Sequence, residues 1–133
     1  MSENLDLARS IFAAWERGDY GSVEWAHPGI EFVIADGPAA GRWTGLAGMA
    51  EGFRDFLSAW EDHRAGPEEV RELDDKRVLV LVRVSARGKA SGLDLEEMHA
   101  KGASVFSFGG GQVTRLVCYF DRDRALADLG LQE

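Results

Sequence analysis

The sequence predicts an α+β domain, and three stretches predict it. Leu93 to Phe120 reads as a hairpin of two long strands, LDLEEMHAKGASVFSF and QVTRLVCYF, around the turn Gly109-Gly110-Gly111. RVLVLVRVSARG, beginning at Arg77, alternates Val78, Val80, Val82 and Val84 with Leu79, Leu81, Arg83 and Ser85, so a strand apolar on both sides is expected. Met49, Phe53, Phe56, Leu57 and Trp60 recur at helical spacing and form one apolar face of a helix from Leu46 to His63. Such a face needs a broad apolar partner, and a sheet is the obvious one.

The remaining elements follow in order. Leu5, Ala8, Ile11, Phe12 and Trp15 mark a first helix, with Asn4 or Ser2 as its cap and Gly18 at its end. A second short helix is expected over Tyr20 to Ala26, broken by His27-Pro28-Gly29. Ile30 to Ala35 reads as a strand, and Asp36 to Gly45 as a glycine-rich loop with Trp43 at its centre. Gly66-Pro67 stops the long helix, Glu68 to Leu73 is a short strand, and Asp74-Asp75-Lys76 is a tight turn. Asp121 is placed to cap a final short helix.

Composition narrows the function. A chain of 133 residues fits a single domain, 1–133. Fifteen basic residues face 23 acidic ones, a net charge of −8, which argues against nucleic acid and against anionic membranes. No apolar run approaches the length of a membrane span. The start, MSENLDLARS, has no basic and then apolar leader, and Cys118 is the lone cysteine, so a cytoplasmic protein is expected. The three histidines have no metal-ligand spacing, and no glycine-rich phosphate loop follows a strand, so neither metal nor cofactor is expected.

Three segments in this order, IFAAWERGDY, WTGLAGMAEGFRDF and VFSFGGGQVTRLVCYFDRDRAL, make Leu5 to Leu131 resemble the nuclear-transport-factor-2-like (NTF2-like) superfamily, in its SnoaL-like branch. The resemblance implies a cone: a curved, mostly antiparallel sheet packed against three main helices around a central pocket. It also implies dimerisation through the sheet, in agreement with the two-faced strand at Val78 to Val84. Family members include ketosteroid isomerases, polyketide cyclases, epoxide hydrolases and binding proteins, so the fold alone does not assign an activity.

Residue by residue, the resemblance implies a site. The isomerase base lies nine residues before the glycine that precedes the long helix, and nine before Gly45 is Asp36. The oxyanion-donor positions fall on Ile11 and Ser104, of which only the second can donate. The limonene-type epoxide hydrolase pattern keeps its arginine at Arg83 but has Ser85 and Cys118 where carboxylates are needed, which rejects that reaction by that mechanism. The expected site is Asp36 as general base and Trp15, Phe53, Trp60, Arg83, Ser85, Ser104, Phe106 and Cys118 as an apolar lining with a few polar points. Two functions stay open. One is a cofactor-independent isomerase- or cyclase-type enzyme acting on an apolar carbonyl compound. The other is a non-catalytic module for a hydrophobic small molecule, in which Asp36 only bonds nearby backbone and Arg83 only pairs with an acid such as Asp36 or Glu96.

Overall fold

Alternation, capping and turn chemistry produce three helices and six strands among the described residues. The order is α1 (Glu3–Glu16), β1 (Ala26–Ile34), β2 (Gly41–Thr44), α2 (Gly45–Ser58), β3 (Trp60–Asp74), β4 (Arg77–Gly88), β5 (Glu97–Gly109), β6 (Gln112–Tyr119) and α3 (Arg122–Leu129). The computed structural model describes residues 3–17, 19, 24–36, 40–58, 60–88 and 97–130, with side chains for all of these except 56–58, 60–65, 84–88 and 97–100.

The strands form one curved, open sheet in the order β2-β1-β6-β5-β4-β3. Every pairing is antiparallel except β1 with β6. The hairpin predicted around the glycines is present. Gly110 and Gly111 have φ of 60° and 81°, and Gly109 pairs with Gln112. A two-residue turn with both central φ positive matches strand twist and suits glycine.

The sheet has an inner and an outer face. Inside, α1 and α2 bury Ile11, Phe12 and Met49 against Ile30, Phe32, Val78, Val80, Phe106, Val113 and Leu116, all at most 1% exposed. Burial of each such side chain contributes roughly 1.5–3 kcal/mol. Outside, α3 lays Ala125 and Leu126 on Leu79, Leu81, Ala103 and Val105. The second apolar side of β4 is therefore covered by the same chain. Asp121 caps α3 as expected, accepting from the N–H of Asp123 and Arg124, and Gly130 closes it in the left-handed conformation.

Several boundaries differ from expectation. The helix expected over Tyr20 to Ala26 falls partly outside the described residues, but Glu24 and Trp25 form a turn and Ala26 opens β1. Strand β1 thus runs through Pro28, with an irregular register between Ala26 and Glu31. Helix α2 ends at Ser58 rather than His63, and Trp60 begins β3 instead of completing the helix face. Gly66-Pro67 does not end a helix; it lies within β3. Strand β3 is an edge strand, where a missing backbone N–H is tolerated, and the register shifts between Pro67 and Glu69.

Trp43 is in β2, not in a loop, and pairs with Phe32 at 5.7 Å between ring centroids. Its indole lies on Gly41 and Gly52, where added Cβ atoms would approach ring atoms to 2.8 Å at each, and its own Cβ lies 3.4 Å from a Cβ built at Gly48. That packing locks β2 onto α2 and closes the edge of the core.

Candidate functional site

Strand register arranges the inner face in rows. Val78, Phe106, Leu116 and Phe32 face one another across β4, β5, β6 and β1, and all are fully buried. The next row is Val80, Ser104, Cys118 and Ile34. Beyond it β4 and β5 supply Val82 and Gly102, while β6 and β1 supply Phe120 and Asp36 just past their ends. Polarity therefore rises along the strands, from an all-apolar row to a hydroxyl and a thiol, and then to a carboxylate.

Aromatic rings from the helices stand over these rows. Trp15 of α1 lies 5.6 Å from Phe53 of α2 and 6.3 Å from Phe106, while Phe12 meets Phe106 at 5.9 Å and Phe53 stacks on Phe32 at 4.6 Å. Such offset and edge-on pairs add to simple burial. Trp15, Phe53, Phe106, Ser104 and Cys118 are thus brought to one face, as expected. Ser104 Oγ donates to Cys118 Sγ at 3.7 Å.

Burial pushes the Cys118 thiol up to about 12, with the Asp36 charge adding to the rise and the Ser104 hydrogen bond opposing it. The residue nevertheless keeps accessible surface. A neutral thiol is a poor nucleophile. Native protein at pH 8 is expected to resist iodoacetamide for hours and to be alkylated promptly in urea, with mass spectrometry as the readout. Rapid native labelling would contradict this picture.

The described partners of Asp36 are backbone groups at the end of β6, while Gly37 and Pro38, the turn expected to hold it, lie outside the described residues. Asp36 Oδ1 accepts from Phe120 N–H at 2.6 Å and its Oδ2 from Asp121 N–H at 3.3 Å. The parallel ladder explains this. Ala35 N–H still bonds the Cys118 carbonyl, after which β1 leaves the sheet and the Asp36 carboxylate takes the next donors of the departing β6. It thereby ties the β1 end to the entrance of α3.

Arg83 departs from expectation. It shares the outer side of β4 with Leu79 and Leu81, its side chain is 70% exposed, and its Nη2 donates to Glu68 Oε2 at 3.0 Å. The period of two along a strand puts it opposite the row containing Ser104, so it does not line the inner face. It does not pair with Asp36, and Glu96, the other acid expected as a partner, lies outside the described residues. Ser85 is paired in register with His99 and Trp60 with Gly88, and the side chains of both lie outside the described set.

The charged centre that sequence reasoning missed is Arg122, the first residue of α3. Its side chain is 8% exposed, donates to the carbonyls of Val82 and Gly102 at 3.1 and 3.3 Å, and pairs with Glu68. Glu68 thus bridges Arg83 and Arg122. No local signal separates Arg122 from its neighbours in DRDR; only the crossing of α3 over β5 and β4 buries it.

The Arg122 hydrogen bond is the main cause that holds the Glu68 carboxyl below its ordinary 4.5; desolvation opposes it, and the charges of Arg122 and Arg83 and the Arg83 hydrogen bond add to the lowering. A depressed carboxylate contributes stability at pH values above its unfolded pKa and loses it as pH falls through the folded one. Glu68→Gln is therefore expected to flatten the acid limb of stability below about pH 4.5 in urea melts taken across that range. An unchanged acid limb would show that the bridge carries no proton-linked stability.

At the other end of the strands, Asp74, Asp75, Lys76, Arg77, Ser107, Phe108 and Thr114 line an open cleft of about 620 Å³. It contains none of the expected site residues. Among the described residues no group of three or more His, Cys, Asp and Glu side chains is placed to hold a metal ion, and no helix is long and apolar enough to cross a membrane.

The family model for the SnoaL-like domain matches residues 8–116. Solved structures show the same fold at low identity. An NTF2-like protein of unknown function from Burkholderia pseudomallei superposes with a TM-score of 0.78 at 20% identity, over 96% of this chain and 97% of that one. TerC, co-crystallised with polyporic acid, gives 0.75 at 22% identity, over 96% and 98%. A protein from Shewanella putrefaciens named for SnoaL-like polyketide cyclases gives 0.71 at 16% identity, over 99% of each chain. No curated protein matches the sequence.

Proposed function

The chain belongs to the SnoaL-like domain family, and from that premise we propose that it binds a small hydrophobic molecule on the inner face of its sheet. The ligand would rest beside Ser104 and Cys118, against Trp15 and Phe53, with the fully buried Phe106 packed behind them. One observation carries the reading: Cys118 keeps accessible surface in a row whose other members, Val80, Ser104 and Ile34, are buried. That surface lines the proposed hollow, beneath the rings of Trp15 and Phe53. Co-crystallisation of TerC with polyporic acid supports ligand binding by this fold.

Binding without catalysis is the reading the geometry favours. Both Asp36 oxygens already serve backbone donors, and Arg83 is on the outer face. A second reading, an isomerase- or cyclase-type enzyme with Asp36 as base, is favoured by one observation. The Asp36 charge is felt at Cys118, so the carboxylate lies close to the proposed hollow. Homodimerisation through the sheet no longer has its sequence basis, because α3 buries Leu79 and Leu81 within one chain. Light scattering reads that state directly. A reducing, cytoplasmic location fits the free thiol and remains part of the proposal.

The test uses the neutral dye N-phenyl-1-naphthylamine. Saturable fluorescence enhancement at one dye per chain is expected, with loss in Cys118→Phe, which fills the hollow. Circular dichroism checks that the variant is folded. Absence of saturable uptake by the wild-type chain, or uptake untouched in folded Cys118→Phe and Ser104→Leu variants, would remove the inner-face site.

A further inference from the structure

The charges around the sheet define which ligands that face admits. Among the residues with described side chains, every cation except Arg71 and Arg122 is exposed to solvent. Both belong to the outer side. Arg71 sits opposite Leu79 in the β3–β4 register and pairs with Glu69, and Arg122 is held by Glu68 and the carbonyls of Val82 and Gly102. Arg83, the cation expected to meet a ligand carboxylate or oxyanion, also lies outside. The described charge nearest the Ser104–Cys118 row is the carboxylate of Asp36, two positions beyond Ile34 on β1. Its field reaches Cys118 and opposes a second negative charge there.

An anion entering this face would lose its hydration and meet aromatic ring faces, whose quadrupoles are negative, with a carboxylate nearby. A neutral molecule avoids that cost. A cationic amine is compensated by the carboxylate and the ring faces. Resting on the small-molecule reading above, we infer that the site takes neutral or cationic aromatic ligands and rejects their carboxylate analogues. Ser104 supplies a single hydroxyl to meet a polar substituent, and the Asp36 end is where a cationic group would lie.

The experiment displaces N-phenyl-1-naphthylamine from the full chain at pH 7 with three compounds of one shape: 2-naphthylmethanol, 2-naphthylmethylamine and 2-naphthoate. The alcohol and the amine are expected to displace the dye, and naphthoate to need a concentration at least about tenfold higher. In Asp36→Asn that gap is expected to narrow to about threefold, since one charge has been removed. Naphthoate displacing as well as the alcohol overturns the inference, as does failure of both alcohol and amine to displace a bound dye. An unchanged gap in folded Asp36→Asn overturns the assignment of the discrimination to Asp36. If that variant does not fold by circular dichroism, the wild-type series alone decides. Absence of dye uptake in the first place removes the pocket itself, which is the separate failure of the reading beneath.

Discussion

Gly102→Ala is expected to destabilise the domain by about 3 kcal/mol or more, lowering the melting temperature by roughly 10 °C. A Cβ built at Gly102 would lie 2.4 Å from the Tyr119 carbonyl oxygen and 3.6 Å from the Phe120 Cα. These are backbone atoms, so no rotamer change relieves the overlap. The end of β6 must move, and three attachments depend on its position: the Asp36 bonds to Phe120 and Asp121, the Asp121 cap of α3, and the Arg122 bond to the Gly102 carbonyl. Overpacking costs about 1–3 kcal/mol and each strained hydrogen bond about 1 more. Urea unfolding followed by tryptophan fluorescence measures the change. A loss under about 0.5 kcal/mol would mean that the exit of β6 shifts freely and that this junction is not a fixed point of the fold.

Asp36→Ala carries the second large effect, about 2 kcal/mol of stability. Two backbone donors lose a charged acceptor, and hydrogen bonds to charged groups contribute about 1.5–3 kcal/mol each, reduced here by partial exposure to water. Asp36→Asn keeps one acceptor oxygen for Phe120 and is expected to lose about half as much. The pair of variants also separates the two functional readings. If Asp36 is a base, Asp36→Asn lowers turnover of a carbonyl substrate by a factor of about 100 or more while the protein stays folded. If it is a strand-end tether, binding and stability change together and no turnover is there to lose. Equal stability of Asp36→Ala and wild type would sink the tether.

Much of the arrangement of the candidate site was legible from residue order. Ser104 and Cys118 were expected on one side by alternation and by resemblance, and the register pairs them directly. Trp15 and Phe53 follow from helical periodicity, which places a ring on a face without knowing what it meets. Phe106 follows from the strand pattern. Arg83 shows where such reasoning fails. Its own alternation aligned it with Leu79 and Leu81, whereas the resemblance drew it toward the ligand; the packing of α3 on that side decides between them. For Asp36, the hydrogen-bond partners lie 84 and 85 residues away in the chain. No local rule for turns could name them.

Residue order alone yielded the α+β class, the two-glycine hairpin turn, the Asp121 cap, and which face of α1 and of the hairpin strands is apolar. These rest on interactions within a few residues: φ sterics, capping bonds and the periods of helix and strand. Packing in three dimensions put Pro67 inside an edge strand, laid α3 over Leu79 and Leu81, and buried Arg122. Those outcomes depend on which elements become neighbours in the sheet order β2-β1-β6-β5-β4-β3. Neighbours distant in sequence supply the burial, the ion partners and the backbone donors that assign a charged side chain to the inner face of the sheet or to the scaffold behind it.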